Sequence, residues 1–275
     1  MSVIRYIQNQ LIIVRAVASV TYKEWAAYRT HSMVSIFVGP VHFLVMTSIW
    51  RAVYSQGGSV GGLSLDEMIL YYGVSMLISY LIMDFADWNL QMLIRTGKYL
   101  TFALRPMHHR FFALSQKIGH RILGFLFEFL PVLALVLLLF NVSFRAASWP
   151  WAIFSVVLGF LMQFYINYSI GVMGFWLIKT EGLRNIIWLL TSICSGALFP
   201  LSILPRAAQG VAFFLPFQYT LYVPTRVFMG SYALGGFYFD ISAIVAIQAG
   251  YVLLFYAISQ LLYTLGMKRF TAVGV

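Results

Sequence analysis

Residues 122–142 read ILGFLFEFLPVLALVLLLFNV. One ionisable side chain, Glu128, interrupts an otherwise apolar run. At ~1.5 Å per helical residue, a run of about 20 residues crosses the ~30 Å hydrocarbon core of a bilayer. Stretches of the same kind lie on both sides, at about Met33–Tyr54, Met68–Ile94, Trp151–Ile178, Ile186–Leu204 and Ile241–Leu265. The expected fold class is therefore an all-α integral membrane protein with six transmembrane helices.

Composition agrees. Of 275 residues, 61% are hydrophobic and 9% are charged, against about 25% charged in soluble domains. Mean hydropathy is +0.85. A soluble chain of this size could neither hide that much apolar surface nor cover itself with charge, which excludes a soluble globular enzyme, a disordered chain and a fibrous repeat. Six spans leave no room for a soluble catalytic domain of ~100–150 residues. The lone cysteine, Cys194, excludes an internal disulfide and a Cys-based zinc cluster. The formal charge of +10 reads as basic cytoplasmic loops beside anionic membrane lipid, with no nucleic-acid partner.

Residues 1–30 are apolar but too interrupted to span. Ile4, Ile7, Leu11, Val14, Ala18, Trp25 and Tyr28 recur at helical spacing, and Arg5, Arg15 and Lys23 fall largely elsewhere. They read as an amphipathic helix in the interface plane, ahead of a transmembrane domain over 31–275. The apolar run Leu11–Val14 is cut by Arg15, too short for the core of a signal peptide.

Residues 200–224 hold Pro200, Pro205, Pro216 and Pro224, half of the eight prolines, among Phe213, Phe214, Phe217, Tyr219 and Tyr222. Prolines this dense remove backbone donors that a plain span needs, and making Ala207–Gly230 a seventh span would export Lys268-Arg269. Two short helices broken at Pro216, dipping into the membrane and returning, fit better. The expectation is a re-entrant extracellular hairpin over 205–230, between spans five and six. With both termini on one side, that side carries fourteen of the eighteen basic residues: Arg5, Arg15, Lys23, Arg29, Arg95, Lys98, Arg105, Arg110, Lys117, Arg121, Lys179, Arg184, Lys268 and Arg269. Arg51, Arg145, Arg206 and Arg226 face the other. The positive-inside rule makes the first side cytoplasmic.

Chemistry-bearing motifs are sparse. Gly97-Lys98 is followed by Tyr99 rather than Ser or Thr, so no phosphate-binding loop is present. His108 and His109 are adjacent and share no helix face. No catalytic, cofactor-binding or metal site is assigned. Asp84, Asp87 and Glu128 are the intramembrane polar candidates, because such charges are costly in lipid. Asp84 and Asp87 are expected on one helix face, as a functional cluster or as an ion pair or cap with a neighbouring basic helix. Glu128 lines a cavity or pairs with a polar group on another span. Gln163, Asn167 and Gln248 are expected to hydrogen-bond between helices.

The loop over 95–121 is the longest on the basic side. Leu104-Arg105-Pro106 stops one short helix, and another can start after Pro106 with Phe111, Phe112 and Leu114 beside His108, His109, Arg110 and Lys117. It suits docking to a soluble partner or lying on the anionic leaflet.

Taken together, the amphipathic N-terminal helix, six spans, basic loop and Pro-rich aromatic hairpin resemble the membrane subunit of ABC-2 type exporters. Gly97-x-x-Leu100-x-x-x-Leu104-Arg105-Pro106 resembles the loop of small bacterial permeases of that group. Gly196-Ala197-Leu198-Phe199-Pro200-Leu201 with Leu204-Pro205 resembles the outer end of their fifth span. Phe214-Leu215-Pro216-Phe217, Pro224 and Phe228-Met229-Gly230 resemble their extracellular hairpin. The resemblance implies a half-transporter of the bacterial cytoplasmic (inner) membrane. It would pair with an identical or sister permease and with two ATPase subunits, which carry the ATP and Mg. Gly97, Leu100, Leu104, Arg105, Pro106 and Arg110 would then couple to the ATPase, and Phe199, Pro200, Pro205, Pro216, Phe217 and Pro224 would shape the hairpin. Two other classes remain open: an ion-coupled secondary transporter, which should show inverted repeats, and an integral-membrane lipid-modifying enzyme, which should gather His, Asp or Glu at one interface.

Overall fold

The computed structural model describes residues 12–17, 19–20, 29–55, 57–105, 107–140, 144–177 and 179–270. The amphipathic helix expected over 1–30 lies largely outside them; 12–17 and 19–20 are helical. Among the described residues, four helical segments are long and apolar enough to cross a membrane: Leu65–Arg95, His109–Leu139, Trp149–Phe175 and Ile241–Arg269. The fold is all-α and of membrane class, with one small β-hairpin.

The first long helix, α1 (Arg29–Tyr54), carries Pro40 inside it. A turn leads to Ser64, which caps α2 (Leu65–Ile82). The Ser64 side chain accepts from the Glu67 N–H and Glu67 accepts from the Ser64 N–H, so two orphan amides of the helix start are satisfied reciprocally. The span expected as one helix to Ile94 is broken. α2 stops at Ile82, and α3 (Ala86–Arg95) begins after Met83–Phe85. The Asp84 carboxylate accepts the Ala86 N–H at 3.1 Å, doing for α3 what a capping residue does.

A one-turn helix, α4 (Tyr99–Ala103), precedes α5 (His109–Gly124). The basic stretch expected as a loop to Arg121 is a connection only as far as His108. From His109 the chain is helical into the apolar segment His109–Leu139, and Lys117 is buried. α5 widens into a π-turn at Phe125–Phe129 and continues as α6 (Leu130–Phe140). Pro131 explains the widening. It has no N–H for the carbonyl four residues back, and its ring crowds that carbonyl.

Helix α7 (Trp149–Val172), with Pro150 in its first turn, is central, packing against α2, α3 and the C-terminal helix α11 (Ile241–Arg269). Between them come α8 (Glu181–Cys194), a 3-10 turn at Leu201–Ile203, α9 (Arg206–Phe214), a second at Pro216–Tyr219 and α10 (Tyr222–Met229). Each proline of the irregular region falls at or near a start. Pro200 and Pro205 precede a 3-10 turn and α9, Pro216 opens the second 3-10 turn, and Pro224 lies in the first turn of α10. There the missing donor costs nothing. Strands β1 (Tyr232–Leu234) and β2 (Phe237–Phe239) pair antiparallel across Gly235-Gly236, whose φ of 61° and 89° make the tight turn of the hairpin.

Several buried polar groups pair between elements. Gln248 of α11 donates to the carbonyls of Ser155 and Tyr219 and accepts from the Ser155 hydroxyl at 2.7 Å, joining α7, α11 and the turn before α10. Nearby, Gly159 lets that turn reach α7: a Cβ there would stand 2.6 Å from the Thr220 carbonyl oxygen. Gly250, on α11, has open space around it. Gly159→Ala is therefore expected to destabilise the protein by about 1–3 kcal/mol through overpacking. Gly250→Ala should be neutral or stabilising by up to about 1 kcal/mol. Thermal unfolding of both variants in detergent checks the contrast; equal midpoints would show that the turn does not rest on α7.

Candidate functional site

Two features bring the sequence candidates together. The first is the turn between α3 and α5. Gly97, at φ 70°, redirects the chain after the α3 C-terminus. α4 then lies with one face down. Tyr99 is fully buried, and its hydroxyl meets that of Tyr263 at 2.6 Å. Its ring lies edge-on to Phe175 and Phe270, with centroids 5.2 and 5.3 Å away. Phe102 meets His109 at 4.6 Å, and His109 Nδ1 lies 3.2 Å from the Tyr168 hydroxyl. Burial and the Tyr263 hydroxyl hold the Tyr99 phenol well above its usual pKa, so it stays protonated and able to donate. The ends of α7 and α11 thus anchor the turn.

The opposite face is free. Leu104 is 82% exposed and Leu100 45%. Arg105 stands beside them, its guanidinium 5.4 Å from the Phe102 ring centroid and 5.9 Å from that of Phe112. Gly97, Leu100, Leu104 and Arg105 therefore form one projecting surface. Pro106 lies outside the described residues. Arg110 stands apart from them. It donates to the Tyr256 carbonyl and the Ser259 hydroxyl, with its guanidinium 4.0 Å from the Tyr256 ring centroid, so it ties α5 to α11.

The second feature is a cavity of about 570 Å³ at the α2–α3 break, walled also by α7, α8 and Thr220-Leu221. Asp84 and Asp87 both line it, although the break takes them off a common helix face. Asp84 pairs with Lys117 of α5 at 3.2 Å, and their side chains are 0% and 7% exposed. The same carboxylate accepts from Asn167 of α7 at 3.1 Å, and Gln163 donates to Asn167. Asp87 faces Arg184 of α8 at 3.8 Å. Glu128 is buried in the π-turn beside Arg121, whose guanidinium donates to the Tyr80 carbonyl, and is not among the groove residues.

Around the irregular segment, Gln218 and Tyr219 donate to the Phe213 carbonyl, and Tyr232 donates to Gln218. Gln209 donates to the Ser202 and Leu204 carbonyls and accepts from Gly235. Phe217, Pro200 and Pro224 are buried, Phe199 and Pro216 half-buried, and Pro205 exposed. Among the described residues, no cluster of His, Cys, Asp and Glu is arranged to hold a metal ion.

Sequence reasoning missed Lys117 as the partner of Asp84, Arg184 as the partner of Asp87, and the Tyr99 anchor. The first had a signal: Lys117 and Arg121 are one turn apart on a helix that runs straight into an apolar stretch.

A family model described as ABC-2 family transporter protein matches residues 41–274. No curated protein matches the chain. Tyr99→Phe removes one buried hydrogen bond and is expected to loosen the turn by about 1 kcal/mol. Hydrogen–deuterium exchange should quicken over 97–105 while helix content holds; unchanged exchange would show that ring packing alone anchors it.

Proposed function

The chain belongs to the ABC-2 family of transporter proteins, and from that premise we propose that it is the permease of an ATP-driven exporter powered by two separate ATPase subunits. The observation that carries this reading is the projecting turn: two exposed leucines and an arginine on a base of buried aromatic rings. An ATPase cleft that receives Leu100, Leu104 and Arg105 pushes on a firm base rather than a loose loop. ATP and Mg belong to the ATPase chains. Movement of the turn passes along α3 and α5, which leave it on either side, and switches access between two states of the permease.

The same reading has six spans, with α1 and the α8 region joining the four long segments, and both termini in the cytoplasm of a bacterial cell. It makes residues 205–230 a re-entrant hairpin at the outer face. Its hydrogen bonds through Gln209, Gln218 and Tyr219 meet the requirement that irregular backbone at membrane depth be covered by protein. A second permease, identical or a sister chain, covers the apolar face of α8, where Ile186, Trp188 and Leu189 are exposed. The polar groove forms part of the substrate path.

Leu104→Glu with Arg105→Glu is expected to abolish copurification of the ATPase and ATP-driven transport while leaving unfolding in detergent unchanged. Retention of both activities would place the docking surface elsewhere. For topology, cysteines replacing Arg206 and Tyr238, with Cys194 changed to Ser, should both react with an impermeant thiol reagent added outside. Labelling of the two from opposite sides would make the intervening segment a true span.

A further inference from the structure

The groove carries charge in an unequal state of satisfaction. Asp84 is the more tightly held: Lys117 lies 3.2 Å from one carboxylate oxygen, and the Ala86 N–H and the Asn167 amide donate to the other. Asp87 and Arg184 are held more loosely. They face each other across the groove from α3 and α8 at 3.8 Å, beyond the 2.7–2.9 Å usual for a charge-assisted hydrogen bond. The Arg184 side chain is 37% exposed, and both residues line the cavity. Asp87 lies about 12 Å along α3 from Arg95, the last residue of the apolar segment Leu65–Arg95. The α8 wall is lightly held. None of its residues is fully buried, and its only other ionic tie to α3 is the exposed Arg95–Glu181 contact at 4.0 Å.

A ligand of one sign would bind one member of the Asp87–Arg184 pair and strand the other at membrane depth, where an uncompensated charge is costly. A compact zwitterion avoids this. Lying antiparallel beside the pair, it sets its cation against Asp87 and its anion against Arg184, and every charge keeps a partner. The remaining walls suit an apolar body: Ile82, Phe85, Ile187 and Trp188 line one continuous groove with the hydroxyls of Thr191 and Ser192. The volume of about 570 Å³ falls in the range of small-molecule sites, about 300–1,000 Å³.

We propose that this groove binds an amphipathic zwitterion, an ammonium close to an anionic group on an apolar body, with Asp87 and Arg184 as the two selecting residues. A phosphoethanolamine lipid head and a free apolar amino acid share that chemistry. The inference rests on the groove being the transport site, but its test needs neither ATP nor an ATPase. Loss of ATPase docking would therefore leave it standing, and its own failure would leave the docking surface intact.

The test is calorimetric titration of the purified permease, in a neutral maltoside, with three single-chain amphiphiles: lysophosphatidylethanolamine, lysophosphatidylglycerol and dodecyltrimethylammonium. The zwitterion should bind tighter than either singly charged probe by about tenfold or more, the size of one charge-assisted hydrogen bond. Asp87→Asn should shift preference toward the anionic probe and Arg184→Gln toward the cationic one. Opposite shifts from the two variants would not arise from a merely structural tether. Competition by free leucine assigns the site to an amino acid, and its absence to a lipid head; either supports the shared chemistry. Equal binding of all three probes to the unmodified protein would overturn the proposal. So would parallel loss of all three in both variants with unfolding midpoints unchanged.

Discussion

Asp84 stops α2 inside a membrane span, and with its side chain wholly covered it requires a cation that lipid cannot supply. Lys117 supplies it at 3.2 Å. The pair costs desolvation on both sides, and its strength lies in what surrounds it. The Ala86 amide and Asn167 both donate to the carboxylate oxygen that Lys117 does not face. Removing one partner of such a pair leaves a buried charge, at a cost of about 3–5 kcal/mol. Helices α3, α5 and α7 are therefore fixed to one another at that point, and the geometry of both functional features follows from it.

The α2–α3 break exists because Asp84 can serve as a cap there, and the break opens the groove. The two arms that carry the projecting turn, α3 and α5, meet at the same ion pair. One turn further along α5, Arg121 reaches the Tyr80 carbonyl near the end of α2. A helix end in lipid has carbonyls that need donors, and here a neighbouring helix provides one. Groove and turn are thus joined by rigid helix rather than by loop.

Much of this was legible in the sequence. Length and hydropathy of 122–142 and its neighbours give the membrane class, because a run of about 20 apolar residues has few other uses. Pro200, Pro205, Pro216 and Pro224 announce an irregular segment, and each sits where a missing donor does no harm. Asp84 and Asp87 stand out because charge in a span is conspicuous. Their partners do not. Lys117 lies in a stretch whose basic composition reads as a solvated loop, and its one-turn spacing from Arg121 does not say which helix it meets. Arg184 is nearly a hundred positions from Asp87, and periodicity carries no information on which helices become neighbours. The break at Met83–Phe85 was equally hidden, since no glycine or proline marks it.

The two outer faces of the bundle differ in kind, and the difference bears on which helices can move. α7 is buried mainly over its second half, with Met162, Phe164 and Tyr168 fully covered and Gln248 bound to its backbone. In lipid there is little hydrophobic drive between helices, so hydrogen bonds and close packing of this sort are what make a fixed centre. α8 has less of both: Leu183, Ile187 and Cys194 pack half-buried against the core, Ile186 and Leu189 point outward, and Arg184, Thr191 and Ser192 line the groove. A wall attached by long ionic contacts shifts at far lower cost than one locked by interdigitated rings. If the groove changes width during transport, the displacement falls to α8, while α7 and the Asp84–Lys117 pair provide the frame against which it moves.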